Sequence, residues 1–219
     1  NFEMACEIVK SEGIETKMII VSDDIASASN EDKLKRRGIA GLIFAFKIAG
    51  ASSENGASLE EVYDLTLKAN NNLRTIGVAV SSCILPEVGK PTFELENDEI
   101  EIGMGIHGEP GIKREKLRKA NLIVDDLCKI IFEDFELSNS DKVSIMINSL
   151  GATPLEELYI VSKRVNEIFS KKDIEIVKSY VGRYATSLEM AGMSISILKL
   201  DDDLRKALLD NSECPFWIN

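Results

Sequence analysis

Residues 142–156 read K-V-S-I-M-I-N-S-L-G-A-T-P-L-E. Lys142–Asn148 alternates apolar and polar side chains, which predicts a strand. Ser149-Leu150-Gly151-Ala152 then turns the chain. Thr153 follows as the expected N-cap, Pro154 as the first helical residue and Glu156 as the third, so a helix is predicted over Glu156–Ser170. The N–H groups at such a start can hold an anion or a ligand hydroxyl, or can serve only a capped strand-to-helix turn. A strand that feeds a helix in this way sets the fold class as α/β.

Working outward, Ile174–Arg183 and Met193–Leu200 predict strands, Asp201–Leu209 a last helix and Cys214–Ile218 an apolar tail. Upstream, Lys113 to about Phe135 predicts one long helix whose apolar face includes Leu117, Ile123, Leu127, Ile130 and Ile131. Ile76–Cys83 and Glu99–Ile102 predict strands. Ser58 and Glu61 form a capping box for a helix to about Arg74. Ile39–Ser53 is apolar almost all round, as a buried helix is. Phe2, Ala5, Cys6 and Val9 recur at helical spacing, closed by Gly13. Lys17–Ser22 predicts a buried strand. It ends in Asp23-Asp24, where α/β proteins place ligands, although an Asp pair serves more often as a turn or cap. Arg36-Arg37 either clamp an anion or pair with acidic neighbours, the second reading being favoured. The turn-rich connector Pro86…Gly89-Lys90-Pro91 suggests a domain boundary near residues 74–90.

Composition narrows the function. The chain has 219 residues, 44% apolar and 29% charged, as in an ordinary globular protein. A net charge of −11 argues against direct nucleic-acid binding and against adsorption to anionic membranes. The cysteines, Cys6, Cys83, Cys128 and Cys214, form no C-x-x-C pair, and there is one histidine, so no metal site is expected. They read as buried free thiols of a cytoplasmic protein. The sequence shows no signal peptide, and its longest apolar run is too short to span a membrane.

The chemistry concentrates in Glu99–Ile112, E-I-E-I-G-M-G-I-H-G-E-P-G-I, which carries the single histidine, His107, among glycines 103, 105, 108 and 111. Gly103–Gly108 fits G-x-G-x-x-G after a strand, but Glu109-Pro110-Gly111 forbids the helix that a dinucleotide site requires. No P-loop and no G-x-S-x-G elbow exists. No cofactor-binding residue is assigned in this chain. What remains is one imidazole in a glycine-framed loop, able to act as a nucleophile toward a carbonyl, as a general base, or as a hydrogen-bond donor.

This run, with Gly77-Val78-Ala79-Val80 and Gly89-Lys90-Pro91 before it, resembles the substrate-binding K subunit of dihydroxyacetone kinase. Arg36–Gly41, Asn148–Pro154 and Thr186–Met190 match further motifs of that family, in the expected order over nearly the whole chain. The resemblance implies that His107 is both the catalytic and the substrate-binding residue, holding dihydroxyacetone as a covalent hemiaminal. It also implies two α/β domains, residues 1–75 as the remainder of a first, truncated at its amino-terminal side, and residues 76–219 as a second that carries His107. It further implies a nucleotide-bearing L subunit or domain carrying ATP or ADP with Mg, and a homodimer. A second histidine loop and an aspartate, which grip the hydroxyls and supply acid–base chemistry, are expected upstream of Asn1. On that expectation this chain alone neither binds dihydroxyacetone tightly nor turns it over. The alternative is a paralogue that binds dihydroxyacetone and serves as co-activator of a transcription regulator.

Overall fold

The structure, a computed structural model, describes residues 1–215 and 217–218. Six helices are described: α1 (Phe2–Ser11), α2 (Leu42–Glu54), α3 (Leu59–Asn71), α4 (Ala120–Asp134), α5 (Leu155–Lys171) and α6 (Asp202–Leu209). Six strands, β1 (Leu73–Ala79), β2 (Glu99–Ile102), β3 (Lys113–Lys116), β4 (Lys142–Ser149), β5 (Glu175–Gly182) and β6 (Gly192–Leu200), pair in the order β3-β2-β1-β6-β4-β5. The β4–β5 pair, joined through α5, is parallel; the others are antiparallel. A two-stranded hairpin, β7 (Glu213–Cys214) and β8 (Trp217–Ile218), follows α6.

Both faces of the sheet are covered, which is why its central strands are rich in apolar residues on both sides. Ile76, Val78, Ile145, Ile147, Ile195 and Ile197 point to one face, under Val124, Leu127 and Ile131 of α4 and Leu158, Val165 and Phe169 of α5. The next residues in register, Leu73, Met146, Leu198 and Leu200, point to the other, under Phe44 and Ile48 of α2, Ala69 of α3, and Leu204 and Leu208 of α6. Burying each such large side chain contributes about 1.5–3 kcal/mol. The α/β class therefore holds. The boundary expected between residues 75 and 76 lies inside β1, in the middle of the sheet, with α2 and α3 packed over strands from both sides of it.

Locally encoded elements stand where the sequence places them. Ser58 Oγ accepts from the Glu61 N–H at 3.4 Å while Glu61 Oε2 accepts from the Ser58 N–H at 2.8 Å, completing the capping box. Lys47, the one cation in the apolar α2, donates to the carbonyls of Ala207 and Asp210 at 3.0 and 2.7 Å, where the end of α6 favours a cation.

Elements that depend on distant partners differ. Lys113–Lys116 is strand, not the first turn of a helix, and α4 begins only at Ala120. K-R-E-K lies antiparallel to E-I-E-I, with Lys116 opposite Glu99 and Arg114 opposite Glu101. Opposite charges across a ladder stabilise that pairing. Lys17–Ser22 is not a strand, and Met18 and Ile20 are exposed. Residues 23–25 alone reach β1: the Thr75 N–H donates to Asp23 O at 2.7 Å and the Ile25 N–H to Thr75 O at 3.1 Å. Further along that edge, Val78 and Ala79 are taken by β2. Helix α1 forms as expected but buries none of its residues. Thr153 does not cap α5. Pro154 stands at the N-cap, and Thr153 Oγ1 accepts from the Gly192 N–H and donates to Gly192 O, both at 2.8 Å. All four cysteines are free, yet only Cys83 and Cys128 are buried. Burial pushes the Cys128 thiol up to about 12. In the tail, Trp217 stacks on Tyr180, and Phe216 lies outside the described residues.

Candidate functional site

The His107 loop is the connection of the β2–β3 hairpin. The Ile112 N–H donates to Ile102 O at 2.8 Å to close it, and the Gly103 N–H donates to Gly77 O at 2.7 Å, seating it on the end of β1. Gly103 and Gly108 have φ of 80° and 84°, left-handed conformations that other residues adopt at a cost. Met104 is buried with Ala79, Cys83, Leu150 and Met190, and Ile106 packs against the same cluster. The segments 77–80, 103–112, 148–154 and 186–190, far apart in sequence, therefore converge at one end of the sheet.

Just beyond these two anchored residues the loop lifts His107 into solvent, with a side chain 78% exposed. Glu109 folds back beneath it. Its Oε2 accepts from the His107 N–H at 3.0 Å, and its Oε1 lies 3.3 Å from His107 Nδ1. Burial pushes the Glu109 carboxyl up, but hydrogen bonds from its own and the His107 backbone N–H, with the charge of Arg37, outweigh this and hold it below the usual range. An ionised carboxylate only accepts hydrogen bonds. The contact thus places the proton of a neutral imidazole on Nδ1 and leaves the Nε2 lone pair directed away.

Arg37 joins this loop to the core. Its Nε donates to Asp24 Oδ2 at 2.9 Å, its Nη2 donates to Gly103 O at 3.4 Å, and its Nη1 lies 3.9 Å from Glu109 Oε2. Burial pushes the Asp24 carboxyl up to about 6 against the opposing charge of Arg37. Asp23 takes the cap reading of the Asp pair: its two oxygens accept from the Ile39 and Gly41 N–H groups, each at 2.8 Å, at the start of α2. Arg36 pairs with Asp134. Both arginines therefore sit in ion pairs with acidic neighbours.

At the turn into α5, the Gly151 N–H donates to Ser149 Oγ at 3.2 Å and the Ala152 N–H to Met190 O at 3.0 Å. Those groups serve the turn. Asn148 is equally engaged, accepting from the Tyr184 and Ala185 N–H groups and donating to Ala185 O. Sequence reasoning singles out His107 as a candidate but does not place Glu109 or Arg37 beside it. Glu109 carries a local signal, two residues after the histidine with glycine at 105 and 108; Arg37 carries none. A cavity of about 550 Å³ lies elsewhere, between α2 and the β7–β8 hairpin, and includes no residue of the His107 loop. Among the described residues no acidic, cysteine or histidine cluster could hold a metal ion, and no helix is long and apolar enough to cross a membrane.

The model of the Dak1 domain matches residues 1–216. The chain belongs to the Dak1 domain family. This Dak1 domain is 45% identical, over 93% of its length, to the dihydroxyacetone-binding subunit of PTS-dependent dihydroxyacetone kinase 1 of Listeria innocua. It is similar to two solved structures. One, a dihydroxyacetone kinase operon co-activator, superposes with a TM-score of 0.88 at 29% identity, covering 96% of this chain and 65% of that one. The other, the dihydroxyacetone kinase of C. freundii in complex with AMP-PNP and Mg2+, gives 0.84 at 31% identity, covering 99% and 39%. The chain spans 61–65% of the length of the Listeria and Lactococcus relatives it matches.

Proposed function

We propose that this Dak1 domain binds dihydroxyacetone for a cytoplasmic dihydroxyacetone kinase, and that His107 holds the ketone as a covalent hemiaminal. The observation that carries this reading is the 3.3 Å contact of His107 Nδ1 with Glu109 on an exposed side chain, a geometry in which a neutral imidazole keeps its proton on Nδ1 and its lone pair on Nε2. The Nε2 lone pair adds to the carbonyl carbon, and the π pair of the C=O bond moves to oxygen. That oxygen takes a proton from water, and the Nδ1 proton, held against Glu109, is released to solvent, so the adduct is neutral. Such capture favours short ketones and aldehydes over glycerol, which offers no carbonyl carbon.

Phosphate then comes from a nucleotide-bearing L subunit or domain that holds ATP or ADP with Mg2+, and the domain works as a homodimer. An imidazole this exposed lacks walls to hold the ligand's hydroxyls, so the 219-residue chain by itself binds weakly and has no turnover. The test is 13C NMR of carbonyl-labelled dihydroxyacetone with the protein that carries this chain, followed by phosphorylation with an L subunit. A tetrahedral carbon signal that disappears in His107→Ala, together with loss of phosphorylation, is expected. Phosphorylation undiminished in His107→Ala overturns the hemiaminal.

A second reading is favoured by the 0.88 superposition on a co-activator. In it the same capture serves to sense dihydroxyacetone, and the partner is a transcription regulator. Phosphate transfer with an L subunit supports the kinase; ketone-dependent binding to a DNA-binding protein without transfer supports the co-activator.

A further inference from the structure

We infer that Arg37, braced by the buried Asp24, is a positioning residue for His107, fixing the Glu109 carboxylate that sets the tautomer of the imidazole. The inference deepens the proposed function, since it rests on reading His107 as the group that captures the ketone.

Four side chains form a ladder from core to solvent: Asp24 is 1% exposed, Arg37 25%, Glu109 37% and His107 78%. Two features make it more than a string of surface ion pairs. First, Arg37 comes from the segment before α2, far in sequence from the hairpin, so the ladder ties the loop to a different part of the molecule. The same guanidinium also donates to Gly103 O, at the foot of the loop. Second, room for the contact depends on Gly105. A Cβ there would overlap Glu109 Oε2 and stand 2.8 Å from Arg37 Nη1. Glycine at 105 thus leaves the space in which carboxylate and guanidinium meet.

The chemical consequence follows from what each group can do. A solvated Glu109 would leave His107 free to exchange tautomers, and a proton on Nε2 blocks the attacking lone pair. A carboxylate held from behind by Arg37 faces Nδ1 persistently. Asp24 keeps the guanidinium from swinging outward, because its own carboxylate is buried and accepts from Arg37 Nε.

The test needs no ligand. With histidine labelled by 15N, the His107 ring signals are identified by their loss in His107→Asn. At mildly alkaline pH the native chain is expected to show Nδ1 protonated and Nε2 unprotonated. Arg37→Gln and Glu109→Gln should each move both nitrogens toward the averaged values of free histidine, and Arg37→Lys should restore most of the bias. A tautomer ratio unchanged in Arg37→Gln overturns the proposal. So does a shift in Arg37→Gln without one in Glu109→Gln, and so does loss of hydrogen-exchange protection at the Gly103 amide, which would make Arg37 a support for the whole loop. Failure of ketone capture with the tautomer bias intact counts against the role of His107, and leaves that of Arg37 standing.

Discussion

Arg36 turns inward to Asp134, whereas Arg37, the next residue, turns along the protein surface toward Glu109 and His107. The Arg36 side chain is 1% exposed and shares Asp134 with Arg74, itself 7% exposed. Arg74 Nε donates to Asp134 Oδ2 at 2.6 Å and Arg36 Nη1 to the same oxygen at 2.9 Å. Two cations around one carboxylate leave donors over, and backbone carbonyls take them: Ala28 O from Arg36 Nε, and Asn71 O and Leu73 O from Arg74 Nη1. The guanidinium of Arg74 also lies 4.5 Å from the ring centroid of Phe135. This knot joins the end of α4, the start of β1 and the loop before α2. The ladder through Arg37 has the same chemistry but opens to water at each step. Burial thus divides identical side chains into one that holds the fold and one that can serve a site.

The sharpest way to break the comparison is at Asp134. Asp134→Ala leaves two buried guanidiniums without their carboxylate, and removing one partner of a buried ion pair costs about 3–5 kcal/mol. Urea denaturation should show that loss; a change under about 1 kcal/mol would place the knot with surface pairs. Asp24, at the inner end of the ladder, is expected to show itself through pH. Its carboxyl, raised to about 6 by burial against the charge of Arg37, keeps its proton up to about that pH in the folded chain, whereas an unfolded chain releases it near about pH 4. Between those values the folded state binds more protons, so this group's contribution to stability falls as pH rises. The stability of the native chain relative to Asp24→Asn should therefore decline by up to about 3 kcal/mol from pH 4 to pH 6. A flat difference would mean an ordinary carboxyl.

The same division explains what could be read from the sequence. The β4 strand, the body of α5, the capping box at Ser58 and the apolar α2 show in the local pattern and were legible, whereas the Thr153 cap was not, since Thr153 bonds Gly192 instead. The candidacy of His107 rests on its being the single histidine, framed by glycines. K-R-E-K became a strand only by lying against E-I-E-I, and in isolation its charges suit an exposed helix turn equally well. Lys17–Ser22 has the composition of a strand but only residues 23–25 find an edge to pair with. The expected boundary at 75/76 falls inside β1, a strand that owes its position to β6, more than a hundred residues later. The contacts from Arg37 to Asp24 and Glu109 are decided by the packing of three segments, and no local pattern announces them.

The smallest expected change in stability falls at Gly105, and it is the most informative about the ladder. Its φ requires no glycine, since it is absent from the left-handed residues. Substitution by alanine lowers the entropy of the unfolded chain, a gain of about 0.4–1 kcal/mol. Against this stands the loss of a partly exposed contact between Arg37 and Glu109, which at 3.9 Å contributes about 0.2–1 kcal/mol. The atoms that a Cβ would strike are the far ends of two flexible side chains, which can rotate into water. Gly105→Ala should therefore unfold within about 1 kcal/mol of the native chain. Its His107 should nevertheless lose the Nδ1–H bias, because the carboxylate beneath the ring has been displaced. A stable Gly105→Ala variant with the native tautomer would show that Glu109 holds the imidazole from more than one position, and that the gap left by glycine has no part in aiming it.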